Sequence, residues 1–155
     1  MIIVAFQTLL KELNQLGVEW LQIEEPALVL DQTEEEKKLF VSIYEELLKS
    51  KNNLNILLQT YFGDVRDSYK EIIKLDFDGI GLDFIEGRDS LALIQKYGFP
   101  KKKILFAGLV NGKNIWRNNY QKTLELLTAL DEVADIVINT SCSLQHVPVT
   151  IKKRN

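Results

Sequence analysis

With 155 residues, 46% of them hydrophobic and 26% charged, the chain has the balance of an ordinary globular domain and the length to bury a core. A net charge of −3 gives no reason to expect a nucleic-acid partner, and the basic run Lys101-Lys102-Lys103 reads as a solvated loop before a strand. The lone cysteine, Cys142, permits no internal disulfide and fits a reducing cytoplasm, while the apolar start Met1 to Phe6 lacks a basic leader or cleavage site and reads as a helix start rather than a signal peptide or membrane span.

In chain order, Leu9, Leu10, Leu13 and Leu16 recur at helical spacing and Gly17 stops that helix. Val18 to Ile23 reads as a strand cut off by Glu24-Glu25-Pro26. Thr33 to Glu36 has the form of a capping box, opening a helix to about Lys51 with Leu39, Ile43, Leu47 and Leu48 on one face. The alternation continues with strand Leu54 to Thr60, helix Val65 to Leu75, strand Gly79 to Phe84 and helix Ser90 to Tyr97. It closes with strand Ile104 to Leu109, helix Tyr120 to Leu130 and strand Ile136 to Asn139.

Strands that are continuous apolar runs, such as Ile104-Leu105-Phe106-Ala107, suit a parallel sheet covered on both faces. The helices between them supply the crossovers that parallel pairing needs. Two α/β architectures fit: a doubly wound open sheet, or a partial (β/α)8 TIM barrel of about five parallel strands with flanking helices. No glycine-rich phosphate loop follows the first strand, which counts against the open nucleotide-binding sheet. The third strand puts Gly79, Gly81 and Asp83 on one face and Ile80, Leu82 and Phe84 on the other, as the crowded inside and the helix-covered outside of a barrel require. The expected organisation is a partial barrel over residues 1–148 and a short polar tail over 149–155.

A barrel carries its reactive groups at the carboxyl ends of its strands. That rim collects Glu24 and Glu25, Thr60 and Tyr61, Asp83 and Glu86, Asn111, Trp116 and Arg117, then Ser141, Cys142, Ser143 and His146. The candidate substrate contacts are Glu25, Asp83, Asn111, Arg117, Ser141 and His146. Each also has a plain reading. Glu24-Glu25-Pro26 can simply end a strand, and adjacent strand residues point to opposite faces. Asp83 can cap the next helix. Trp20 and Trp116 are expected to pack. One cysteine and one histidine make half a zinc site at best, so neither a metal centre nor a Cys-His nucleophile is expected within this chain.

Four ordered blocks carry a resemblance. Gly17-Val18-Glu19-Trp20-Leu21-Gln22-Ile23-Glu24-Glu25-Pro26-Ala27-Leu28 resembles the Gly-x-Glu-Trp-x-Gln-Ile-Asp/Glu-Glu-Pro-Ala-Leu motif of cobalamin-independent methionine synthase. Thr60-Tyr61-Phe62, the block Ala107 to Arg117 and the block Ser141 to Pro148 agree in order and rough spacing. The resemblance implies the later strands of the amino-terminal barrel of a two-barrel cytoplasmic methyltransferase. That family moves a methyl group from a 5-methyltetrahydrofolate polyglutamate to homocysteine, with zinc in its carboxyl-terminal barrel activating the thiol. Glu24 and Cys142 look like degenerate counterparts of a homocysteine contact and a zinc ligand in that barrel. Its histidine-x-cysteine ligand pair has no match, because Gln59-Thr60-Tyr61-Phe62 stands there. The expectation is a piece of the enzyme without catalytic residues, metal or folate-tail contacts of its own, inactive alone; the alternative is an independent α/β ligand-binding or enzymatic domain using Glu25, Asp83, Asn111 and His146 at the strand carboxyl ends. The piece would self-associate through exposed sheet edges or pair with the missing barrel parts, with no membrane partner.

Overall fold

The structure, a computed structural model, describes residues 2–146, and the side chains of Ile2 and His146 are outside that description. The expected tail 149–155, and its boundary with the barrel segment, also lie outside the described residues.

Helix α1 (Ile2–Gln15) ends where Gly17 takes φ 74°, a left-handed conformation that glycine adopts without strain. Strand β1 (Trp20–Glu24) follows, and Pro26 opens a single 3-10 turn (Pro26–Val29). Helix α2 (Glu34–Leu48) starts on the expected capping box: Thr33 Oγ1 accepts from the Glu36 N–H at 3.2 Å, and the Glu36 carboxylate accepts from the Thr33 N–H at 2.8 Å. Then come β2 (Asn55–Gln59), a short α3 (Tyr69–Ile72), β3 (Gly79–Asp83) and α4 (Ser90–Tyr97). The last elements are β4 (Ile104–Val110), α5 (Tyr120–Asp131), β5 (Asp135–Thr140) and a 3-10 turn (Leu144–His146).

All strand pairs are parallel, and the sheet order is β1-β2-β3-β4-β5, the order of the chain. A doubly wound sheet reverses direction at a switch point; this one does not. Curvature makes the same distinction. Trp20 on β1 and Phe106 on β4 lie three strand steps apart, roughly 14 Å across a flat sheet at ~4.8 Å per step. Their rings meet edge to face with centroids 5.6 Å apart. The sheet is therefore bent into an arc with these rings on its concave side. Glycine makes room for the closure: a Cβ on Gly79 would come within 2.7 Å of the Phe106 ring.

On the convex side Ile56, Leu58, Ile80, Leu82, Leu105 and Ala107 are buried beneath the helices, together with Tyr44, Leu47 and Leu48 of α2 and Ile94 of α4. The expected split of β3 thus holds, with its aliphatic residues under the helix layer and its glycines facing inward.

Four expectations change. The segment 65–75 buries Val65, Tyr69, Ile72 and Leu75, but only Tyr69–Ile72 is α-helical. The Ser68 hydroxyl donates to Gln32 Oε1 at 3.1 Å and Asp67 Oδ2 accepts from the Gln32 N–H at 3.0 Å, so the first turn is tied to the segment after β1. Lys103 is buried rather than solvated, because its ammonium donates to the carbonyls of Leu75 and Phe77, the latter at 2.7 Å. Leu39 is exposed, and Tyr44 takes the buried place on α2. Trp20 packs against Phe106 yet is 39% exposed, and Trp116 stands 80% exposed.

Candidate functional site

The rim begins where β1 ends. Glu24 shares the concave face with Trp20 and Gln22, and its carboxylate is held on both sides. Gln22 Nε2 donates to Oε1 at 3.0 Å and the Tyr61 hydroxyl donates to Oε2 at 3.0 Å. Burial, then Glu24, keeps the Tyr61 phenol protonated above its ordinary range. Glu25 takes the opposite direction, as strand parity requires. It accepts from the Tyr44 hydroxyl of α2 and lines an apolar cavity of about 640 Å³ between α1, α2 and the top of β1. The Tyr44 phenol is pushed far up by burial and by that acceptor.

Asp83 ends β3 and is 1% exposed. Its carboxyl accepts from the backbone N–H groups of Phe62 at 3.0 Å, Ile85 at 2.7 Å and Glu86 at 3.0 Å. It therefore knits the loops after β2 and β3 together. Burial pushes the carboxyl above its ordinary range against the downward pull of those donors. Next to it Glu86 pairs with Lys113 at 2.7 Å, and the same ammonium lies 4.3 Å from the centroid of the Phe62 ring.

Beyond β4, Asn111 Oδ1 accepts from the Lys113 N–H at 2.8 Å. The Gly112 N–H donates to Ser141 Oγ at 3.1 Å, and the Ser141 N–H to the Val110 carbonyl at 2.7 Å. Ser141 thereby joins the tops of β4 and β5. Cys142 is buried beside Gly112, and burial pushes its thiol up, so it is no ready thiolate. Arg117 is exposed in the loop with Trp116. The backbone of His146 ends the last 3-10 turn, and its side chain is outside the description.

Of the six expected contacts, Asp83, Asn111 and Ser141 thus belong to one connected set of loops, through Glu86, Lys113 and Gly112. Glu25 faces the helix layer instead, and Arg117 is carried on the outer loop. Three relationships were not anticipated from the sequence: the Tyr61–Glu24 bond, the Lys113 bridge to Glu86 and Phe62, and the bond from Asn139 Nδ2 to Gln59 Oε1 at 3.0 Å. For the last, strand parity was a usable signal, since Gln59 and Asn139 share the inward face with Gly81.

These donors do not fit a zinc ion. Glu24 is committed to Gln22 and Tyr61, Asp83 to backbone N–H groups, and the Cys142 thiol is held protonated. Among the described residues no group of three His, Cys, Asp or Glu side chains could hold a metal. Among them, too, no helix is long and apolar enough to cross a membrane.

Residues 1–135 match the family described as "Cobalamin-independent synthase, N-terminal domain". The chain is 99% identical over 151 residues to the 5-methyltetrahydropteroyltriglutamate–homocysteine methyltransferase of Lactococcus lactis subsp. lactis (strain IL1403), a match covering 97% of the chain and 20% of that protein. It is 75% identical over 146 residues to the enzyme so named in L. lactis subsp. cremoris (strain SK11), covering 94% of the chain and 19% of the relative. It is 57% identical over 145 residues to that of Campylobacter jejuni (strain 81-176), covering 93% and 19%. The chain therefore spans about a fifth of the length of these relatives. The parallel arc, its inward glycines and these matches agree: the chain belongs to the cobalamin-independent synthase family, as part of its N-terminal domain.

Proposed function

We propose that the chain is a scaffold arc of a cytoplasmic methyltransferase that moves a methyl group from a 5-methyltetrahydrofolate polyglutamate to homocysteine in methionine biosynthesis, and that it performs no chemistry alone. The observation that carries this reading is the internal commitment of the rim acids. Glu24 and Asp83, the carboxylates best placed at the strand ends, are spent on neighbouring groups rather than presented to a ligand. Zinc, which in this family would activate the homocysteine thiol, is assigned to polypeptide beyond this chain. Substrate contacts from this part would come from the outer rim, with Asn111 and Arg117 best placed and Asp83 and Ser141 acting as supports; the His146 side chain lies outside the described residues. Glu25 belongs to the support of α2.

The partner is the remainder of the barrel, or a second copy standing in for it. Within the described sheet β1 and β5 each have one neighbour, and unpaired strand edges recruit other strands. Apolar side chains are exposed on both sides: Phe6 and Leu39 around the cavity at the end of β1, and Leu124 of α5 and Ile138 of β5 at the other edge.

Supplying the purified chain with the rest of the Lactococcus relative, as a separately expressed polypeptide lacking this segment, tests the reading. Methyl transfer from the mixture and none from either piece is expected. Methyl transfer by the chain alone overturns it. Sedimentation velocity on the chain alone should show concentration-dependent association, and a strict monomer at micromolar concentration contradicts the self-association part.

A further inference from the structure

The sequence contains one Asn-Gly pair, Asn111-Gly112, at the carboxyl end of β4. We propose that Asn111 is a latent deamidation site which Ser141 holds closed. Glycine after asparagine favours this chemistry because, without a Cβ, its amide nitrogen can approach the preceding side chain. In the reaction the deprotonated Gly112 nitrogen attacks Cγ of Asn111. A new C–N bond forms, the bond to the side-chain nitrogen breaks, and ammonia leaves, giving a cyclic imide. Water then opens either carbonyl of the imide, leaving aspartate or isoaspartate. Nothing is oxidised or reduced, and water is the one co-reactant.

Three observations place the site and its lock. Gly112 is obligatory, since a Cβ there would lie 2.5 Å from the Cys142 carbonyl oxygen and 2.9 Å from its sulfur. The glycine of the reactive pair is thus imposed by packing. The nucleophilic nitrogen is engaged, its N–H donating to Ser141 Oγ at 3.1 Å in a buried position. The Asn111 side chain is held in one orientation, Oδ1 accepting from the Lys113 N–H at 2.8 Å. Attack needs the Gly112 N–H to leave Ser141 Oγ, so that the nitrogen can be deprotonated and reach Cγ, and the reaction runs from locally opened states. Isoaspartate would insert an extra backbone atom between Val110 and Gly112. The Val110 carbonyl accepts from Ser141 there at 2.7 Å, so modification loosens the junction of β4 and β5 and adds a negative charge to the loop bearing Lys113.

The test follows Asn111 by peptide mass mapping and enzymatic isoaspartate labelling in the whole chain at mildly alkaline pH. Native protein, urea-unfolded protein and Ser141→Ala are compared. The unfolded chain should convert fastest and the native chain many-fold slower. Ser141→Ala should accelerate conversion about fivefold, the factor expected for losing one ordinary buried hydrogen bond, and Ser141→Thr should restore protection. Equal rates in native and unfolded protein, or an unaccelerated Ser141→Ala with unchanged circular dichroism, overturn the proposal. If Ser141→Ala fails to fold, hydrogen exchange of the Gly112 amide in the unaltered chain decides: strong protection supports the lock, and exchange at the unprotected rate removes it.

Discussion

Asn139 on β5 donates its side-chain amide to Gln59 on β2, 3.0 Å away, across the two strands between them. The bond passes beside Gly81, and it can close only because the sheet is bent and that position carries no side chain. A Cβ on Gly81 would collide with the Gln59 amide. Gly81→Ala should therefore displace Gln59, break the tether and cost about 1–3 kcal/mol, the range for forcing an extra methyl into a packed interior. Urea unfolding measures this. A change within ~0.5 kcal/mol, the usual size of a harmless surface substitution, would mean the concave face is looser than described.

The buried Asp83 carboxyl has a definite pH signature. Its proton affinity in the folded chain is raised above the ordinary 3.8 by burial. An acid of that kind binds its proton more tightly when folded. Its stabilising contribution is whole below 3.8 and is lost as pH rises through the folded pKa. Against Asp83→Asn, which does not titrate, the unaltered chain should lose relative stability between acid and neutral pH. Unfolding curves for both proteins at several pH values test this. A relative gain with rising pH would show that the three N–H donors outweigh burial.

Lys103 should be the one member of its basic run that matters to folding. It donates to the carbonyls of Leu75 and Phe77 from a buried position. Lys103→Met leaves those oxygens without that partner, a loss of about 1–3 kcal/mol. Lys101→Met should change stability by no more than ~0.5 kcal/mol. Comparable effects at the two positions in thermal unfolding would contradict the assigned contacts.

The capping box at α2 supplies a local check. Thr33→Ala removes the acceptor for the Glu36 N–H, and a loss of about 1 kcal/mol is expected. Thr33→Ser, which keeps the oxygen, should be close to neutral in the same unfolding assay.

Much of the fold could be read from local chemistry, and the limits lie where contacts span the sheet. Gly17, Thr33 and the alternation of β3 each act over a few residues, so their roles follow from spacing and side-chain type. The boundaries of α4 follow in the same way. Helix 65–75 misled because its apolar spacing is helical while Ser68 and Asp67 are captured by Gln32, 36 and 35 positions earlier. Lys103 misled for a similar reason, since its acceptors belong to the segment before β3. At the site, the strand-end positions of Asp83, Asn111 and Ser141 were visible. Strand parity separated Glu24 from Glu25, but which of the two faces the helix layer was not visible, because it depends on Tyr44 reaching down from α2 to Glu25. The exposure of Trp116 depends on how the loop after β4 folds, which local spacing does not report.

The account rests on the arc, and the Trp20–Phe106 pair measures it most directly. A double-mutant cycle of Trp20→Ala and Phe106→Ala, read by urea unfolding, should give a coupling of about 0.5–1.5 kcal/mol, the value for an edge-to-face aromatic pair. Additive single effects, expected of residues held more than about 10 Å apart on a flat sheet, would contradict it.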